Sequence, residues 1–231
     1  GAKSAQKDAE RDLQDALDNL DQFNRQMQQQ NRAEQIFQIE QELKMMMSAQ
    51  KDVLGRTQAI EKLRGQSNEP LKRGAKLQCK QVFGDQQKLS DSTCVVIKKL
   101  EEALVFQWAL QTARDDMSES AVRLDREETG AVVQEIQEDV IKKLNELIEA
   151  LKRERQKKSG GGGGGGGGSG GGRQSLVPPS AELKMLKIMQ RDVNARTRKI
   201  DEEVAKMQGA NKSLSKDQKD RLHRVATKEG E

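Results

Sequence analysis

Residues 42 to 61 read "ELKMMMSAQKDVLGRTQAIE", and residues 182 to 201 read "ELKMLKIMQRDVNARTRKID". Laid over one another at an offset of 140, the two stretches agree at ten of twenty positions: Glu42/Glu182, Leu43/Leu183, Lys44/Lys184, Met45/Met185, Gln50/Gln190, Asp52/Asp192, Val53/Val193, Arg56/Arg196, Thr57/Thr197 and Ile60/Ile200. So long a period excludes a solenoid of short units, whose repeats run about 20 to 50 residues. It implies a duplicated helical module.

The repeat also has an internal register. With Leu43 at heptad position a, the first copy places Leu43, Met46, Gln50, Val53, Thr57 and Ile60 at successive a and d positions. The second places Leu183, Leu186, Gln190, Val193, Thr197 and Ile200 there. Both copies keep Gln and Thr at the same two a positions. A polar a residue costs stability but fixes register and oligomer state, so these twelve residues form the expected interaction seam. Two such seams can pair with each other, with the same seam of a second chain, or each with its own following helices.

Composition agrees with a chain built of helices. Of 231 residues 33% are hydrophobic, 34% are charged and 2% are aromatic, a balance that suits exposed helices better than a compact globule. The five aromatics (Phe23, Phe37, Phe83, Phe106, Trp108) and three prolines leave little material for strands and their turns. The expected fold class is all-α, with long helices forming hairpins or a coiled-coil-like bundle.

From Ala5 to about Leu63 there is no proline, and Leu13, Ala16, Leu20, Phe23 and Met27 recur at the spacing of one helix face. The phase slips in the polar run Gln28 to Asn31, then resumes at Ile36, Ile39 and Leu43. One long helix is expected here. Residues 65 to 91 carry Gly65, Pro70, Gly74 and Gly84 and read as a connection with no more than a turn or two of helix inside. A second helix, capped by Ser90 or Ser92, is expected to carry Val96, Ile97, Leu100, Leu104 and Trp108 on to Leu124. After Thr129-Gly130 a third carries Val133, Val140, Leu144, Leu147 and Leu151, with basic residues in its last turns, where cations favour the helix dipole.

The tract "SGGGGGGGGGSGGGRQ", residues 159 to 174, reads as a flexible linker with a root-mean-square span of roughly 20 Å. It lacks the G-K-[ST] and the preceding strand of a phosphate-binding loop. Beyond it, Val177-Pro178-Pro179 and Ser180 announce a helix to about Gln208, with Gly209 past its end. A short helix from Ser215, with Gln218 completing a capping box, is expected last. Three segments result: a helical module over 1–158, a linker and lead-in over 159–179, and the second seam helix with the short helix, a truncated module, over 180–231.

Chemistry finds no foothold. The single His223 has no nucleophile or metal companion at a telling spacing, and Cys79 and Cys94 have no His or Cys at zinc-ligand spacing. The two thiols are either bridged or free. Acids and bases alternate along helix faces instead of converging on a closed pocket, so neither enzyme activity nor a metal or cofactor is expected. The formal charge is +4, and residues 173–231 hold 14 Lys and Arg against 9 Asp and Glu. A solvated basic face accounts for that excess better than nucleic-acid binding, which calls for a clustered basic stripe. No apolar run approaches the roughly 18 residues of a membrane-spanning helix, and the start "GAKSAQKDAE" lacks the apolar stretch of a signal peptide. Export would imply a signal already removed.

Arg56-Thr57 and Arg196-Thr197 are either salt-bridge formers beside the seam or a recognition site. Met45, Met46, Met47, Met185 and Met189 are either core or an adaptable groove for a partner helix.

The run "DMSESAVRLDREETGAVVQEIQEDVIKKLNELIEALKRE", the glycine tract and "PPSAELKMLKIMQRDVNARTRKID" together resemble a group of long, exported, uncharacterised helical coiled-coil proteins of planctomycete-type bacteria. These share an "EDVI..L.ELIEAL" helix, a Gly-rich tract and an "AELKML...Q..VN.RT" helix. The resemblance covers residues 116 to 201 and reaches the N-terminal half only through the repeat. It implies an extracytoplasmic setting, periplasm or cell envelope, and a structural role, and it carries over no catalytic residue. One departure matters: Met46-Met47-Ser48 stands in the first copy where Leu186-Lys187-Ile188 stands in the second, so the two seams need not be equivalent. The expected function is structural or scaffolding, by helix-helix association with another copy of the chain or with another helical protein. The alternative is an adaptor that captures a partner protein's helix in envelope assembly.

Overall fold

A computed structural model of the chain describes residues 2–64, 70–100, 103–159 and 176–210. Among them are five helices and no strand: α1 (Ala2–Arg64), α2 (Arg73–Lys99), α3 (Leu104–Asp125), α4 (Ala131–Ser159) and α5 (Pro179–Ala210). The fold is all-α. Residues 36–64 of α1 pack with α2, α3 and α4 as an up-down-up-down bundle in which each helix touches its two neighbours, and α1 closes the ring against α4. Short connections between antiparallel neighbours are the usual way such a bundle is wired.

The apolar stripes of the four helices meet along one axis. Ile36, Leu43, Phe106, Leu110, Met117, Leu144, Leu147 and Leu151 are fully enclosed in the larger core. Val53, Ile60, Cys79, Val82, Leu124 and Val133 form a second cluster toward the other end. Each large side chain so enclosed stabilises the fold by roughly 1.5 to 3 kcal/mol relative to exposure. The third-helix stripe Val133, Val140, Leu144, Leu147 and Leu151 lies wholly inside.

Two expectations about the chain's punctuation are overturned. Residues 65–91 are not simply a connection, because α2 begins at Arg73 and contains both Gly74 and Gly84. A methyl group at Gly55, Gly74 or Gly84 would meet nothing within 4 Å, so these glycines sit on open helix surface. Their cost, roughly 1 kcal/mol each against alanine, is outweighed by the burial of Ala75, Cys79, Val82 and Leu89 on the opposite face.

The second correction is a reversal at Leu100–Ala103, in the middle of what reads as one helix. No glycine or proline marks it, and neither Ser90 nor Ser92 caps anything. Ser90 Oγ lies 2.8 Å from Ser118 Oγ on α3, and Ser92 Oγ donates back to the Leu89 carbonyl at 2.8 Å. The turn is held from inside, since Leu100 and Ala103 are both fully buried. Ala103, at the start of α3, offers no side-chain cap. The carboxylate of Glu182 on α5 accepts from the Val105 N–H at 3.4 Å and places its charge where the dipole of α3 favours it.

The reversal between α3 and α4 is a Schellman turn. Glu128 N–H donates to Arg123 O at 2.9 Å and Glu127 N–H to Leu124 O at 3.0 Å. Glu127 takes the left-handed conformation there, with φ of 62°, where glycine is usual. Arg64, at the end of α1, holds the Glu127 carbonyl at 2.5 Å and the Thr129 hydroxyl at 3.0 Å, while Thr129 Oγ1 donates to Glu61 at 2.5 Å.

Helix α1 is 63 residues long, which makes it about 95 Å at 1.5 Å per residue. Every described side chain from Arg11 to Asn31 is exposed, so the first half of α1 stands clear of the bundle as an arm. Helix α5 packs outside the ring on α3 and α4 and, among the described residues, touches neither α1 nor α2. Its helix runs to Ala210, past the expected stop before Gly209. The glycine tract from 160 to 175 and the helix expected from Ser215 lie outside the described residues.

Candidate functional site

In the first copy of the seam, Leu43, Met46, Gln50, Val53, Thr57 and Ile60 are all buried. The two polar members have specific partners. Gln50 and Gln86 of α2 exchange two amide hydrogen bonds, Nε2 to Oε1 in each direction, both at 2.9 Å. Thr57 Oγ1 donates to the Val53 carbonyl at 2.9 Å and accepts from Gln137 Nε2 of α4 at 3.1 Å. Gln137 Nε2 also donates to Ser120 Oγ of α3 at 3.1 Å, so one amide joins three helices. Gln137 Oε1 is buried with no hydrogen-bond partner among the described residues; the paired groups stabilise little but penalise any register that separates them.

Charged groups add two further ties. Asp116 of α3 is fully buried, with Lys143 of α4 at 2.5 Å. Glu40 of α1, also fully buried, has Lys44 Nζ at 2.6 Å and Arg155 Nε of α4 at 3.2 Å. The second contact is an ion pair by distance but lacks hydrogen-bond geometry. Arg155 also stacks over the Phe37 ring at 5.2 Å. This clamp sits where the arm leaves the bundle.

Arg56 flanks the seam as a salt-bridge former. It reaches Asp85 of α2 at 2.7 Å and Asp52 at 3.5 Å, and its hydrogen bond holds the Asp85 carboxyl below the ordinary range. The side chain of Arg196, its counterpart, lies outside the described residues, as does that of Ile200. Cys79 and Cys94 are both free. Fifteen residues apart on one continuous helix they are about 22 Å from each other, beyond the reach of a disulfide. Cys79 Sγ donates to the Leu124 carbonyl at 3.2 Å. Its burial, and then the charge of Glu127, push the thiol up to about 11.

The second copy sits otherwise. Leu183 is 67% exposed and Leu186 48% exposed. Gln190 is exposed and donates within its own helix, to Asn194 at 3.3 Å, while Val193 and Thr197 are half-buried. Thr197 Oγ1 keeps the intrahelical bond of its counterpart, donating to the Val193 carbonyl at 3.0 Å. The structure therefore does not bring the two seams together.

Helix α5 docks by its opposite face, through buried Ala181 and Met185 with Ile188 and Met189 half-buried beside them. The matching positions of α1 are Gln41, Met45, Ser48 and Ala49, where Met45 is 65% exposed. Ala181 in place of Gln41, Ile188 in place of Ser48 and Met189 in place of Ala49 give α5 a second apolar face. The methionines divide accordingly: Met46 and Met185 are core, Met47 and Met189 pack against it, and Met45 faces out.

Between α4 and α5 lies an open groove of about 650 Å³ with Glu149, Arg153 and Glu154 on one wall and Lys184 and Ile188 on the other. Among the described residues no group of three or more His, Cys, Asp or Glu could hold a metal ion, and no helix is long and apolar enough to cross a membrane. Comparison of the chain with models of protein families, with curated proteins and with solved structures finds no match.

Proposed function

We propose that the chain is a structural or scaffolding element that works by helix-helix association and carries out no catalysis. One observation supports this most: a seam that the bundle buries completely in α1 recurs in α5 with Leu183, Leu186 and Gln190 open to solvent and only Val193 and Thr197 half-buried. A repeated apolar stripe left uncovered on a helix whose other face is already docked is a surface for another helix. The non-catalytic half of the reading rests on how the charged groups are used. Glu40, Asp116 and Arg56 are spent on ties between or along helices. In line with the resemblance in residues 116 to 201, we also propose an extracytoplasmic setting; fractionation that finds the native product in the cytosol removes that part.

The adaptor reading draws on the same uncovered seam and differs only in the owner of the covering helix. Sedimentation of the whole chain over a concentration series separates the two. A defined self-associated species favours the scaffold. A monomer at all concentrations favours capture of another protein.

A further inference from the structure

Among the described residues, two stripes at heptad spacing hold large apolar side chains open to solvent, and they match. On the arm of α1, Leu13, Ala16, Leu20, Phe23 and Met27 follow heptad a and d spacing, and the four large ones are 42% to 66% exposed. On α5, Leu183, Leu186, Gln190, Val193 and Thr197 repeat the same spacing, the first three exposed and the last two half-buried. Each stripe covers fourteen residue steps, about 21 Å of helix.

Their charges are opposite. Between positions 11 and 25 the arm carries Asp12, Asp15, Asp18 and Asp21 against Arg11 and Arg25. Between positions 184 and 198, α5 carries Lys184, Lys187, Arg191, Arg196 and Arg198 against Asp192. Two arms meeting each other would set acid against acid, and two α5 seams base against base, whereas arm on seam sets acid against base.

Within one chain the two stripes cannot meet. Arg155 of α4 lies at Glu40 and Gln137 at Thr57, so α4 runs opposite to α1. Helix α5 begins with Glu182 at Val105 and passes Lys142 of α4 at Asp192, so it runs opposite to α4 and down the bundle. The arm projects the other way from the same end. Two chains laid head to head about a two-fold axis bring each arm alongside the other's α5, antiparallel, and the arrangement closes on itself.

Resting on the self-association reading above, we propose that the exposed seam of α5 is covered by the acidic arm of α1 from a second copy of this chain, twice over, in a closed dimer. The apolar stripes supply the contact, and the charges select arm on seam over the alternatives and make the dimer weaker at high salt.

The test uses the full chain and two charge-swapped variants, all positions being exposed: an arm variant, Asp12→Lys/Asp15→Lys/Asp21→Lys, and a seam variant, Lys187→Glu/Arg191→Glu. Sedimentation equilibrium at low salt should find the wild type dimeric and each variant alone at least about tenfold weaker in self-association. An equimolar mixture of the two variants should recover the dimer, because each then presents a stripe complementary to the other. Circular dichroism of each variant confirms that the helices are intact. A wild-type dimer indifferent to both swaps, or a mixture no tighter than its parts, overturns the pairing while leaving self-association standing. A wild type that stays monomeric overturns both.

Discussion

Gln50 and Gln190 are the same residue at the same heptad position, and their surroundings make them opposites. Gln50 is sealed against Gln86, so Gln50→Leu leaves the Gln86 amide buried without a partner, and the fold should lose about 1 to 3 kcal/mol in chemical denaturation. Gln50→Leu/Gln86→Leu should recover most of that loss, and Gln190→Leu should fall within about 0.5 kcal/mol of wild type in the monomer, as surface changes do. The heptad pattern names the inward face of α1 because burial follows the stripe. It cannot name Gln86, 36 residues from Gln50 along the chain, or Gln137, 80 residues from Thr57. Nor does it reveal that Ala181, Ile188 and Met189, standing where α1 has Gln41, Ser48 and Ala49, line the face by which α5 docks.

Cys79 gives a pH test at the same scale. Its thiol is pushed up to about 11 in the folded chain, against about 8.5 when unfolded. The unfolded chain therefore releases the proton first, and this group's contribution is intact below about pH 8.5 and is lost as pH rises toward 11. Denaturation curves taken across that window should show a decline in wild type that is shallower in Cys79→Ala. Equal slopes would mean that the thiol is not enclosed.

At the scale of the elements, long uninterrupted periodicity was readable and punctuation was not. α1, α4 and the start of α5 are written in their stripes and in the Pro178-Pro179 lead-in. α2 is hidden because Gly74 and Gly84 look like breakers, while the burial that overrides them lies on a face completed only by α1 and α3. The reversal after Lys99 is hidden for the converse reason: no breaker is needed where Leu100 and Ala103 are anchored in the core and Glu182 reaches in from α5. Because nothing lies within 4 Å of a methyl group at Gly55 or Gly84, Gly55→Ala/Gly84→Ala should stabilise the bundle by about 1 to 2 kcal/mol. A melting temperature that falls in this variant would place those positions against something the monomer lacks.

Across the whole molecule, the bundle is tied by polar pairs at defined levels and α5 is tied to its outside. Lys143→Met takes the ammonium away from the buried Asp116 carboxylate and should cost up to about 3 to 5 kcal/mol, whereas Asp116→Leu/Lys143→Met should come back toward wild-type stability. A double variant as unstable as the single one would show the pair to be an energetic necessity and not a selector of register.

One contrast organises the molecule, a seam closed in α1 and the same seam open at Leu183, Leu186 and Gln190 in α5. Amide hydrogen exchange of the intact chain at low and high protein concentration measures both in one experiment. Residues 43–60 should exchange at the slow rate of global unfolding at either concentration. Residues 183–197 should exchange much faster at low concentration and become protected, together with 13–27 of the arm, as concentration rises. Equal protection of the two seams in the dilute protein, or an α5 indifferent to concentration, would contradict it.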